Sequence, residues 1–182
     1  MSSDLLGHVI AFSSLGVLSV TQELAGAVLS DVEGAEPDLV AEETLCLVAT
    51  TTARAAAVGL RAAPEAGDPV VDVLENLPYV YRDYLLGGEL LDRSDPSIAD
   101  AADDVFRRLE RKHEFYRVHF PENQFPGEKV LTEKMALWMG RISPPKLPEM
   151  PSERLRKLEL VAPLLTHLKL VLAYCRKSSN GS

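Results

Sequence analysis

A glutamate and a histidine stand three positions apart in LERKHEFYRVHF, residues 109 to 120. On a helix, this spacing makes Glu110 and His113 neighbours, and helical bundles use such pairs to present a carboxylate and an imidazole to a metal ion. The stretch therefore suggests half of a metal site. Other helices would have to supply the rest.

The second half of a ferritin-like di-iron site is missing. Such a site takes a Glu-x-x-His motif from each of two helices and one further glutamate from each of two others. The remaining histidines are His8, His119 and His167, and none of them follows a glutamate by three positions. Only one motif of the required pair is present.

A mononuclear site stays open as an alternative. His113 and His167 could bind one transition-metal ion together with a carboxylate such as Glu42, Glu43 or Glu110, because imidazoles and carboxylates from separate helices can converge in a bundle. A histidine that packs at the edge of the core, without a metal, is the simpler interpretation. On a helical wheel His113 shares the core-facing side, whereas Glu110 points about 60° away. We therefore expect a histidine at the edge of the core, with no metal and no cofactor.

Three of the five tyrosines, Tyr79, Tyr81 and Tyr84, lie within six residues. With Trp138 from another helix, they could line a pocket for a small ligand. The alternative is a packed aromatic face, in which each buried hydroxyl needs a hydrogen-bond partner.

Sequence motifs of the common enzyme classes are absent. The chain has no phosphate-binding glycine loop, nucleophile elbow, H-E-x-x-H motif or dinucleotide fingerprint. The stretch DVEGAEPDLVAEE imitates a calcium loop, but Ala35 stands at the fifth ligand position and Glu36 at the place of the turning glycine. The sequence favours a non-enzymatic protein and leaves an enzyme open.

The overall charge is acidic. A formal net charge of −8 and a pI near 5.0 make nucleic acid an unlikely partner, because phosphate backbones are repelled. The basic residues of RRLERK fall all around their helix and form no single stripe.

The two cysteines, Cys46 and Cys175, lie far apart in apolar surroundings, which predicts buried thiols in a reducing compartment. We therefore predict a cytoplasmic protein with no membrane segment. The stretch from Leu5 to Gln22 has no charged side chain, but its serines and glycines favour a buried helix over a transmembrane or signal segment.

Helical periodicity and proline positions predict an all-α, single-domain bundle of about five to seven helices over residues 1–177, several kinked or interrupted by proline or glycine. An acidic connector is expected at about 31–38, a proline-rich tether at 143–151 and a flexible tail at 178–182. The second helix is expected to reach residue 63, before a loop ending at Pro69. Pro37 and Pro96 are expected to open helices, and Ser152 is expected to cap the last one. Pro78 and Pro163 are expected to kink or break their helices. For 165–174 a strand is the alternative.

The first helix carries a face of small residues that includes Gly7, Ala11 and Ser14. Such a face lets a neighbouring helix approach closely, including one from a second copy of the chain. We therefore predict an interaction or regulatory protein that forms a homo-oligomer, and the sequence leaves a further protein partner open. A bundle that binds a metal ion or small ligand is the alternative.

Overall fold

The computed structural model describes residues 3–85, 96–142 and 159–180. Those residues form six helices and no strand, which confirms the all-α prediction. The helices are α1 (Ser3–Asp31), α2 (Pro37–Gly59), α3 (Pro64–Leu85), α4 (Pro96–His119), α5 (Glu128–Ile142) and α6 (Val161–Asn180). The predicted proline-rich tether, 143–151, and the predicted cap at Ser152 lie outside the described residues.

Helix α2 is the centre of the bundle. It packs against α1, α3, α4, α5 and α6, and every residue from 42 to 56 is buried. A helix that is buried on all sides needs small or apolar side chains all around, and the run LCLVATTTARAAA supplies them.

Threonine hydroxyls can enter this core because α2 satisfies them itself. Thr44, Thr50 and Thr51 donate to the carbonyls of Val40, Cys46 and Leu47 at 2.6, 2.7 and 2.9 Å. A buried hydroxyl without a partner would be costly, and hydrogen bonding to the preceding turn removes that cost.

Prolines open two of the helices as the sequence predicted. Pro37 stands in the first turn of α2 and Pro96 begins α4, where a missing N–H has no partner to lose. The connector before α2 turns at Gly34, whose φ of 78° lies in the region that glycine adopts without strain.

The predicted boundary between the second and third helices was wrong. Helix α2 ends at Gly59, and α3 already begins at Pro64, so the expected loop through Pro69 belongs to α3. The backbone N–H groups of Ala66 and Gly67 bond to the carbonyl of Ala63, which starts the new helix. The composition of this stretch resembles a loop, but burial of Ala66 and Val70 against the core favours the helix.

Pro78 does not split α3, which is assigned as one helix to Leu85. A proline inside a helix removes one hydrogen bond, here the one to the carbonyl of Leu74. Leu74 is fully buried, and Tyr79 and Tyr81 also pack against the core. Tertiary packing therefore holds this stretch in helical form.

Three expectations for the last helix were also wrong. Glu159 has a φ of 48°, which interrupts any helix running through it, and α6 begins at Val161. Pro163 then falls in the first turn, where it is tolerated and causes no break. The helix continues to Asn180 and buries Ser178, so residues 178–180 are not a flexible tail. Residues 165–174 are helical, which rules out the strand alternative.

The glycines of α1 do not break it, and one of them brings two helices together. A Cβ at Gly16 would lie 2.2 Å from Cε1 of His167 on α6. Since real Cβ atoms do not approach so closely, the absence of a side chain at Gly16 is what lets α1 pack on the imidazole.

Candidate functional site

Two adjacent carboxylates on α2 are the most deeply buried acids of the described residues. Glu42 is 5% exposed and Glu43 is 2% exposed. Successive residues on a helix point about 100° apart, so the two side chains face different neighbours. A buried carboxylate is stable only when it is paired and hydrogen-bonded, and both are.

Glu42 faces α3 and α4, where it meets three cationic side chains. Arg108 donates two hydrogen bonds, at 2.8 and 3.0 Å, and Lys112 donates one at 2.7 Å. Arg82 approaches to 3.1 Å. Burial acts to raise the pKa of Glu42, but the hydrogen bonds from Arg108 and Lys112 outweigh it and hold the pKa below its usual value.

Glu43 faces α4 and α5. Arg141 donates two hydrogen bonds of 2.7 Å, and the hydroxyl of Tyr116 donates a third at 2.8 Å. Burial and the neighbouring carboxylate together raise the pKa of Tyr116 well above its ordinary value, so it remains a donor. Lys112 lies 3.9 Å from Glu43 and so links the two carboxylates.

A third carboxylate, the half-buried Glu75 on α3, joins two arginines. Arg54 donates to Glu75 at 2.8 Å and to the carbonyl of Phe120 at 2.9 Å. Arg117 pairs with the second oxygen of Glu75 and leaves 43% of its own side chain exposed. Burial would raise the pKa of Glu75, but the hydrogen bond from Arg117 and the two positive charges lower it.

A cleft of about 380 Å³ opens beside this last cluster, between α3 and α4. Tyr79 and Phe106 form an aromatic wall in it, with ring centroids 5.8 Å apart and planes only 18° from parallel. Six residues line the cleft: Asp72, Glu75, Asn76, Tyr79, Phe106 and Arg117.

His113 lies behind the aromatic wall and is 2% exposed. Its ring centroid is 6.2 Å from that of Tyr79, and its Nε2 has no hydrogen-bond partner among the described residues. Burial, followed by the charge of Arg117, lowers the pKa of His113 to about 4. The imidazole is therefore neutral at pH 7. The predicted core-facing side of α4 is confirmed, since Leu109, Tyr116 and Phe120 are buried with His113.

His167 belongs to a different contact, between α1, α2 and α6. Its Nε2 lies 3.0 Å from Oγ1 of Thr52, beside Gly16. Burial lowers its pKa to about 4.

The structure gives no support to a metal site built on these histidines. Glu110 is exposed, whereas His113 is buried. Within residues 3–85, 96–142 and 159–180, no group of three or more His, Cys, Asp or Glu side chains is arranged to hold a metal ion.

The predicted aromatic pocket is only partly assembled. Tyr79 lines the cleft and Tyr81 is half-buried, whereas Trp138 is fully buried in the core on α5. The side chain of Tyr84 lies outside the described part of the structure. Both cysteines are buried, and burial raises the pKa of Cys175 to about 12 and that of Cys46 still further.

The outward side of α1 is a second candidate site. It carries an uncharged stripe of exposed residues, spaced by three or four positions along six turns of helix. We call these residues the α1 stripe: His8, Ala11, Leu15, Ser19, Gln22, Gly26 and Leu29. By length and composition, α1 is also the one described helix that could cross a bilayer, and 28% of its most apolar window is buried in the protein.

No family model matches the sequence, and searches of curated proteins and of solved structures found no significant match.

Sequence reasoning missed the carboxylate network. Glu42 and Glu43 were considered only as metal ligands, although the motif LVAEETLCLV already places two acids inside an apolar run. Arg108, Lys112 and Tyr116 follow one another at intervals of four on α4, so they share one face of that helix. Together, these two patterns were the signal in the sequence that could have predicted the carboxylate network.

Proposed function

We propose that the protein is a non-enzymatic interaction protein that self-associates, with the α1 stripe of one copy packed against that of a second. The observation that carries this proposal is the exposed, uncharged stripe itself. One residue in four of the chain is charged (25%), yet none of the seven stripe positions is. Leu15 is 68% exposed in its middle.

The spacing of the stripe suits a helix as its partner. Intervals of three and four residues let side chains of one helix enter the gaps of another. Ala11, Ser19 and Gly26 are small enough for the two backbones to approach closely, while Leu15 and Leu29 supply apolar area.

The neighbouring helix extends this apolar surface. Phe12 on α1 contacts Tyr174 on α6, with ring centroids 4.9 Å apart. Leu170 lies one turn before Tyr174 and is 55% exposed. The spacing of four places it on the same side of α6 as Tyr174, so it extends the apolar surface that begins at Phe12.

The charges around the stripe favour a second copy over a lipid surface. Asp4, Glu23 and Asp31 on α1 are exposed, and the whole chain has a net charge of −8. Anionic lipid headgroups and nucleic acids would be repelled by these carboxylates. A twofold dimer, in contrast, buries the same uncharged surface on both copies at once.

Light scattering coupled to size-exclusion chromatography tests this proposal. We expect a mass of about twice 19.9 kDa at micromolar concentration, and a single-copy mass for Leu15→Glu. Val118→Glu is the matched control, because Val118 is 69% exposed on α4, away from the stripe, and should leave the mass unchanged. A single-copy mass for the unchanged protein would refute the proposal.

A further inference from the structure

We propose that the cleft between α3 and α4 binds a small zwitterion with a flat aromatic ring, of the kind represented by a free aromatic amino acid. This inference is independent of self-association, because the cleft lies on α3 and α4 and not on the α1 stripe.

The size and wall of the cleft set the shape of its ligand. A volume of about 380 Å³ lies at the lower end of the range that small-molecule sites occupy. Tyr79 and Phe106 stack nearly parallel and provide a flat apolar surface along one side. Aromatic rings bind such surfaces by offset stacking or edge-to-face contact.

The charges in the cleft set the ligand's polar groups. The negative charge of Glu75 is already balanced, since each of its oxygens is bonded to an arginine. Arg54 is 2% exposed and bonds to Glu75 and the carbonyl of Phe120, so it does not reach the cleft surface. The trio of Arg54, Glu75 and Arg117 therefore carries a net positive charge, and Arg117 is its exposed end.

Arg117 can bind an anionic group while its hydrogen bond to Glu75 stays in place. Its guanidinium has five N–H donors, and its contacts are the bond to Glu75 and a 3.9 Å approach to the exposed Glu114. A carboxylate matches the geometry of a guanidinium.

Asp72 supplies the opposite charge. It lines the same cleft, is exposed, and no cation pairs with its side chain among the ion pairs of the described residues. Asn76, one turn further along α3, uses its amide nitrogen to hold the backbone carbonyl of Asp72 at 2.8 Å. An exposed guanidinium with unused donors, an unpaired carboxylate and a stacked aromatic wall together match a ring that bears a carboxylate and an ammonium group.

A titration followed by NMR tests this match with three related probes. L-phenylalanine carries both charges, 3-phenylpropionate only the carboxylate and phenethylamine only the ammonium group. We expect L-phenylalanine to shift the backbone amides of Asn76 and Phe106 and to saturate below about 10 mM, as an interaction of this size allows. Each single-charge probe should bind at least five-fold more weakly.

Substitutions of Arg117 and Asp72 complete the test. Arg117→Gln and Asp72→Asn should each weaken L-phenylalanine binding at least five-fold. Arg111→Gln and Asp68→Asn are matched controls on the same two helices, both at exposed positions, and should bind as the unchanged protein does. Asp72 is exposed, so Asp72→Asn is expected to fold even if loss of the ion pair with Glu75 destabilises Arg117→Gln.

Three results would overturn the proposal. They are a failure of L-phenylalanine to saturate any cleft amide, equal binding of 3-phenylpropionate or phenethylamine, and unchanged binding in both Arg117→Gln and Asp72→Asn. None of these results depends on the oligomeric state, so they leave the self-association proposal to its own test.

Discussion

Adjacent glutamates on α2 pair with four cationic side chains from three other helices. Glu42 takes Arg82, Arg108 and Lys112, while Glu43 takes Arg141 and a tyrosine hydroxyl. Burying charges in this way adds less stability than the contacts suggest, because desolvation offsets much of the attraction. Removing one partner costs more stability, since it leaves the other charge buried and unpaired.

Glu42→Leu should be strongly destabilising for that reason. It leaves the Lys112 ammonium group, which is 5% exposed, with Glu43 at 3.9 Å as its closest remaining carboxylate. Breaking a buried pair typically costs about 3–5 kcal/mol of unfolding free energy. Urea unfolding monitored by circular dichroism would measure the loss, with the exposed Glu110→Leu as the control, which should change stability by less than about 0.5 kcal/mol.

Adding Lys112→Met to Glu42→Leu should recover most of that stability, because both members of the pair are then replaced by apolar side chains of similar length. A double variant no more stable than Glu42→Leu alone would show that the stranded ammonium group is not the cause. A loss of unfolding free energy in Glu42→Leu no larger than that in Glu110→Leu would show the same.

The buried histidines predict a loss of stability in acid. Both have pKa values of about 4 in the folded protein, below the ordinary 6.5, so the unfolded chain binds protons first as the pH falls. Their contribution is complete above pH 6.5 and declines as the pH falls toward 4. At about 1.4 kcal/mol per pKa unit, each histidine accounts for up to about 3 kcal/mol.

His113→Leu should reduce this pH dependence, because the variant has no imidazole to protonate. The measurement is the unfolding free energy between pH 7 and pH 4.5, with the exposed His8→Gln as the control. An equal slope in His113→Leu and the unchanged protein would contradict the assignment of His113 as a buried neutral group.

At the scale of helices, the packing of α1 on α6 depends on one glycine. Gly16→Ala would place a methyl group 2.2 Å from the His167 ring, which is 7% exposed and bonded to Thr52. The ring has little room to move, so we expect a loss of about 1–3 kcal/mol despite the better helix propensity of alanine.

Thermal unfolding of Gly16→Ala beside Gly140→Ala would check this expectation. A Cβ at Gly140 on α5 would meet no other atom within 4 Å, so this substitution should be neutral or slightly stabilising. Equal melting temperatures for the two variants would show that the close approach is not required for stability.

Sequence periodicity predicted the helices but not all their ends. The openings at Pro37 and Pro96 and the core-facing side of α4 could be read locally, because a proline or a repeat of apolar residues determines them. The boundary at Pro64, the unbroken α3 and the interruption at Glu159 could not. At those places, packing against α2 and a single positive φ decide the outcome, and neither is visible in local composition.

The candidate sites show the same division. Sequence reasoning placed Tyr79 in a possible pocket and placed small residues on one face of α1. It did not pair Glu42 with Arg108 or Glu75 with Arg54, because these partners stand 66 and 21 positions apart and meet only after folding.

At the scale of the whole molecule, the ion pairs of Glu42, Glu43 and Glu75 affect how charge is distributed between the interior and the surface. Arg54, Arg82, Arg141 and Lys112 are turned inward toward Glu42, Glu43 and Glu75. These four cations and three carboxylates sum to +1, so the rest of the chain, which includes the exposed surface, carries −9. Two such surfaces repel each other except where the α1 stripe removes charge from the contact.

Salt should therefore strengthen self-association. Raising NaCl from 0.1 to 0.5 M screens the repulsion between two acidic copies while leaving an uncharged contact intact. Sedimentation velocity at both salt concentrations would show a larger dimer fraction at the higher one. Dissociation on adding salt would instead indicate a contact held by ion pairs.

The most direct test of self-association through α1 is a cysteine substitution in the middle of the stripe. Ser19 is exposed near the centre of the helix, and the two native cysteines are buried. In a twofold contact that centres on the stripe, position 19 lies close to its own copy, so we expect Ser19→Cys to form an intermolecular disulfide rapidly under mild oxidation. Val118→Cys, also at an exposed position but on α4, should not. Cross-linking of Ser19→Cys that is no faster than that of Val118→Cys would contradict self-association through α1.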